Sequence, residues 1–150
     1  QLSDNKGKSV TWFAFHANQD VNLLRTLSQK GLVPKRLAAK SSTIIAKNIE
    51  HAQDIFSDAS LVVAMRLHAF ILSTVSQCPT VALSYDPKVE AAAKTADAPW
   101  LDLAHLPRLE RIILQWSDCM SQIPSKSNLQ GIQRQAYKHE QALKSTLKDI

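Results

Sequence analysis

Two short apolar runs, with no glycine between them, constrain this chain more than any other feature. Leu61 to Met65 (LVVAM) is continuously apolar, has the length of a strand, and stops at Arg66. Thr80 to Leu83 is the second run and ends at Ser84-Tyr85-Asp86-Pro87-Lys88. A strand without polar alternation is buried on both faces. The residues between, 66–79, are long enough for a helix, so the unit reads strand–helix–strand, and a connection of that length joins parallel strands. Ligands of open parallel sheets bind beyond the carboxyl ends of the strands. Both ends here carry charge: Arg66 and His68 on one, Asp86 and Lys88 on the other.

The rest of the chain repeats the alternation. Val10 to Phe15 (VTWFAF) is rich in β-branched and aromatic residues and reads as a first strand, ending at His16-Ala17-Asn18-Gln19-Asp20. Asp20 can cap a helix from Val21 to Lys30, closed by Gly31. Leu32 to Leu37 reads as a short strand that Pro34 restricts to an edge. Ser41-Ser42-Thr43 reads as a turn, and Thr43 to Ala46 as a short extended piece after it. Asn48 is placed to cap a helix through Ser57. Helices are expected from Leu67 to Ser76, from Pro87 to Thr95, and from Pro107 to Cys119, the last with Leu109, Ile112, Ile113 and Trp116 inward. A last strand is expected around Pro99 to Asp102. Residues 126–150 hold a polar C-terminal helix, from near Asn128 to Leu147, whose thin apolar stripe suits packing across another domain. The sum is one α/β domain over 1–150, a doubly wound sheet of about five parallel strands.

Composition enters as a filter. With 45% hydrophobic residues and 21% charged, 150 residues suffice for one globular core. No apolar run reaches the length of a transmembrane segment, and the polar start QLSDNKGKS is unlike a signal peptide. Cys78 and Cys119 lack a CxxC relation and fit reduced thiols of a cytoplasmic protein. The net charge of +5 is either a solvated basic surface or a field that draws in an anion. Nucleic acid is not expected: there is no Lys/Arg run and no zinc spacing. With three glycines, and neither GxGxxG nor a Walker sequence, a nucleotide cradled by a Gly-rich loop is not expected. There is no GxSxG elbow, and no HExxH or paired cysteines ask for a metal. His105 and His139 read as surface residues.

Arg66-Leu67-His68 carries the chemistry. If strand geometry persists through it, Arg66 and His68 share a face and Leu67 points to the core. Arg offers a planar fork for a carboxylate or phosphate, and His is a proton donor near neutral pH. If a helix starts there instead, its exposed N–H groups also favour an anion. The structural alternative is that Arg66 pairs with a carboxylate and His68 caps a loop. For Ser84 to Lys88, one reading has Asp86 as a helix cap and Lys88 in solvent. The other puts Lys88 at a phosphate and Tyr85 beside the ligand.

The segment Ala59 to Lys88 resembles the polysaccharide pyruvyl transferases. The likeness lies in small and apolar residues followed by Met65-Arg66-Leu67-His68, an apolar helix, Pro79, the strand Val81 to Leu83, and Tyr85-Asp86-Pro87-Lys88. The first strand and the loop closing at Asp20 also resemble the start of that family's C-terminal domain, so the likeness spans roughly 10–118. It implies a Rossmann-like fold, similar to the C-terminal lobe of two-lobed, GT-B-like glycosyltransferases. It implies transfer of the pyruvyl group of phosphoenolpyruvate to two hydroxyls of a sugar or polysaccharide as a ketal, with release of phosphate and no cofactor. Arg66 and His68 are implied as catalytic, and Leu67, Tyr85, Asp86, Lys88 and His16 join them in substrate binding. The sequence departs from the family at Gln77-Cys78, where a Gly usually precedes the Pro, and in having room for one lobe, so an N-terminal lobe of the same protein is an expected partner. A sugar-nucleotide glycosyltransferase or epimerase lobe, and a non-catalytic binding module, stay open.

Overall fold

The computed structural model describes residues 7–15 and 20–122. His16 and the expected C-terminal helix lie outside them. The chain divides into two compact units, Gln1–Ala52 and Gln53–Ile150. All strand pairs among the described residues are parallel, in a two-stranded and a three-stranded sheet. This is a mixed α/β architecture of the Rossmann-like kind.

In the first unit, strand β1 (Val10–Ala14) pairs with β2 (Ser41–Ile45), Val10 opposite Ser41 and Ala14 opposite Ile45. Between them lie helix α1 (Leu23–Gln29) and the short helix α2 (Lys35–Ala38). Gly31 ends α1 as expected: it adopts φ +69°, and Leu32 N–H reaches back to the Leu27 carbonyl at 2.9 Å. Asp20 does not cap this helix. Its carboxylate accepts from Phe15 N–H at 3.1 Å, and Asn22 occupies the cap position.

The expected strand at 32–37 is a helix start instead. Pro34 has no N–H to give a ladder, and its φ of −55° suits the N-cap of α2. The strand partner of β1 comes later, at Ser41–Ile45: the extended piece expected from Thr43 is there, and it begins two residues earlier, where a turn was expected. Ser41 supports the junction by donating its hydroxyl to the Leu37 carbonyl at 2.8 Å. The β-branched Thr43, Ile44 and Ile45 favour extended backbone, and this outweighs the turn preference of the two serines.

Helix α3 (Ile49–Ser57) starts where Asn48 placed it, with the Asn48 side chain accepting from His51 N–H at 2.8 Å.

In the second unit, β3 (Val62–Ala64), β4 (Thr80–Ser84) and β5 (Trp100–Asp102) lie in that order. Helix α4 (Leu67–Val75) joins β3 to β4, and α5 (Pro87–Thr95) joins β4 to β5. The two helices pack on each other and on β4. Val81, Ala82 and Phe70 are fully buried at this junction. Helix α6 (Leu109–Ser121) also rests on β4, with buried Cys119 near its end. Leu109 was expected inward but is 58% exposed, because it opens the helix and has no preceding turn to shelter it. Both cysteines are free and buried, as expected for reduced thiols. No helix among the described residues is long and apolar enough to cross a membrane.

Candidate functional site

The carboxyl rim of the three-stranded sheet gathers the charged strand ends. The register Ala64–Ala82–Trp100 runs straight across it, and Ser84 faces Asp102. Arg66, two residues past Ala64 with extended backbone at φ −97° and ψ 138°, lies at the same carboxyl edge as Ser84 and Asp102. Two strand spacings of about 4.8 Å separate the outer members, so the rim is about 10 Å wide.

Regular pairing stops at Ala64, and Leu67 is already the first residue of α4. The strand alternation that would aim Arg66 and His68 together does not extend to His68. Arg66 is the N-cap and His68 stands exposed on the first turn. Leu67 is half-buried rather than a core residue. The helical alternative is the one realised, and it brings the first N–H groups of α4 to the rim.

Two helix N-termini open here, and they differ. At α5 the Asp86 carboxylate accepts from Lys88 N–H at 2.8 Å, so that end already has an anion of its own. At α4 the cap residue is Arg66, whose side chain makes no cap hydrogen bond. A guest anion at the first end would meet the Asp86 carboxylate. Asp86 therefore serves as the helix cap, and Lys88 is exposed on the first turn of α5. Tyr85 is 63% exposed on the same loop, and Ser84 fixes that loop by donating to the Asp86 carbonyl at 3.0 Å.

Sequence reading passed over one member of the rim. At the end of β5, Asp102 Oδ1 accepts from Ala104 N–H at 2.8 Å, while Oδ2 lies 2.7 Å from His105 Nδ1. The hydrogen bond from His105, with that of Ala104 next, holds the Asp102 carboxyl below its usual range. The signal was available as Asp-x-x-His directly after a strand. No group of three or more metal-ligating side chains occurs among the described residues.

These features define a class: a parallel α/β unit whose carboxyl rim carries two helix starts, one capped by Asp86 and the other led by Arg66. The sequence profile of the polysaccharide pyruvyl transferases matches residues 2–87, more than half of the chain, and the chain belongs to that family. The match includes Arg66 to His68 and stops at Pro87, one residue before Lys88. Neither the curated proteins nor the solved structures gave a match. The family is one of transferases in polysaccharide biosynthesis and implies a sugar acceptor.

Proposed function

We propose that this chain transfers the pyruvyl group of phosphoenolpyruvate to a sugar diol, forming a ketal and releasing phosphate. The observation that carries this reading is the pyruvyl transferase profile over residues 2–87, which takes in Arg66 to His68 at the carboxyl rim. Phosphoenolpyruvate brings a carboxylate and a phosphate. Arg66 clamps one of them bidentately, and the first N–H groups of α4 add to the attraction. His68 acts as general acid, to the methylene carbon or to the departing phosphate, and protonation of the methylene makes the adjacent carbon electrophilic. Lys88 contributes charge at the phosphate, and Tyr85 and Leu67 flank the ligand. His16 belongs to the expected substrate-binding set. No cofactor is needed, because the donor already carries its leaving group.

The lobe is read as the C-terminal half of a two-lobed, GT-B-like protein acting in the cytoplasm and supplying cell-envelope polysaccharide, with an N-terminal lobe completing the sugar site. A nucleotide-sugar reading is less favoured, because Asp86, the carboxylate it needs for a ribose, is engaged as a helix cap.

His68→Gln in the full-length protein is expected to lower pyruvyl transfer by about 10²–10⁴-fold with phosphoenolpyruvate still bound, measured as phosphate release and by calorimetry. Near-normal turnover sinks the assignment. Arg66→Lys is expected to weaken phosphoenolpyruvate binding, because a point charge does not reproduce the fork. Unchanged affinity in that variant counts against the clamp.

A further inference from the structure

His105 lies beyond the residues that the family match covers, yet the fold brings it to the same rim. Three contacts fix it there. Its backbone N–H donates to the Asp102 carbonyl at 3.2 Å, closing a turn directly after β5. Asp102 Oδ1 holds the middle of that turn through Ala104 N–H. Asp102 Oδ2 lies 2.7 Å from His105 Nδ1. A carboxylate only accepts, so Nδ1 carries the proton in this contact, and in the neutral ring the lone pair is then at Nε2. The imidazole side chain is 84% exposed, so the turn and the carboxylate position it, not packing. A histidine oriented by a carboxylate at one nitrogen and open at the other is built as a proton acceptor.

Its place on the rim selects the proton. Arg66 follows β3 and Asp102 ends β5, two strands apart at the same carboxyl edge. The proposed anion site at α4 and the imidazole beyond β5 thus flank one stretch of rim about 10 Å wide, two strand spacings. Among the described residues, the charged and titratable groups of that rim include Arg66, His68, Tyr85, Asp86, Lys88, Asp102 and His105. Protonated His105 beside ionised Asp102 would be a neutral pair and a poor anchor for phosphate. Neutral His105 suits an uncharged hydroxyl.

We propose that His105 is the general base that takes the proton from the attacking sugar hydroxyl, with Asp102 as its positioning residue. The inference rests on the pyruvyl transfer reading above. In the step, the hydroxyl oxygen bonds to the electrophilic carbon of the methylene-protonated donor as the O–H bond breaks, and the proton moves to His105 Nε2. Closure by the second hydroxyl breaks the carbon–oxygen bond to phosphate. One hydroxyl proton thus balances the proton gained by the new methyl group, and the other leaves with the phosphate.

The test uses full-length protein, phosphoenolpyruvate and a panel of methyl hexosides with free diols, with phosphate release as the readout. His105→Gln is expected to bind phosphoenolpyruvate with unchanged affinity by calorimetry while kcat falls about 10²-fold or more. The acidic limb of its pH–rate profile is expected to disappear, and imidazole is expected to restore part of the rate to His105→Ala. Asp102→Asn is expected to lower kcat less and to keep the limb. Turnover by His105→Gln within threefold of wild type, with an unaltered pH profile, overturns the assignment and leaves the pyruvyl transfer reading standing. Wild-type protein that neither binds phosphoenolpyruvate nor releases phosphate overturns both.

Discussion

His68 and His105 show one side-chain type in two settings. His68 is exposed on the first turn of a helix, next to an arginine. His105 sits in a turn against a carboxylate. Cys78 shows the opposite fate. Its thiol is buried beside the Ala59 carbonyl at 3.2 Å, and burial, with the nearby Cys119 next, pushes its pKa up to about 11 from 9.0. The folded state thus holds this proton more tightly than the unfolded chain does. Stability from this group is complete below the unfolded value and is lost as pH rises from 9.0 towards about 11. Comparing urea denaturation of wild type and Cys78→Ala at pH 8 and near pH 11 should show wild type losing about 1–2 kcal/mol more over that interval. An equal loss in both proteins would rule the cysteine out as the source.

At the scale of elements, the helix ends carry the most information. Gln77 closes α4 with φ +57°, its N–H reaching the Thr74 carbonyl and that of Cys78 the Ser73 carbonyl, both at 3.0 Å. This is the left-handed position that glycine fills at least cost, and it explains why the pyruvyl transferase pattern has Gly near the Pro there. Gln77→Gly is expected to stabilise the protein by about 0.5–1 kcal/mol in urea melts, because relief of the left-handed conformation exceeds the added unfolded-state entropy. At the other end of the crossover, Asp86→Ala removes the cap of α5 and should cost about 1 kcal/mol, whereas Asp86→Asn should cost only a few tenths. Equal losses in the two variants would mean that charge, not the cap hydrogen bond, is what matters. The long strand–helix–strand unit was legible because its apolar runs are unbroken and Pro79 and Pro87 punctuate it. The segment 32–45 was not, because Pro34 is compatible with both a strand edge and a helix start, and serines that often turn the chain are here paired in a sheet.

At the scale of the molecule, the +5 charge supports the local argument, since a positive surface raises the local concentration of a multiply charged anion. Phosphoenolpyruvate affinity is expected to fall several-fold between about 0.05 and 0.5 M ionic strength as the Debye length shrinks. A salt-independent Kd would confine recognition to the uncharged contacts of the rim.

By itself, the sequence determined the parallel α/β class, the family, and the short list of Arg66, His68, Asp86 and Lys88, because apolar periodicity and a fairly specific motif are local properties of the chain. Tertiary structure decided where those residues stand. Only the order of β3, β4 and β5 brings Arg66 and Asp102, 36 positions apart in sequence, to one edge of a sheet. Only the folded loop gives Asp86 to its own helix and leaves α4 with an arginine. Only the turn beyond β5 joins Asp102 to His105. Strand pairing and hydrogen bonds that close on folding made these choices, and no residue announces them alone.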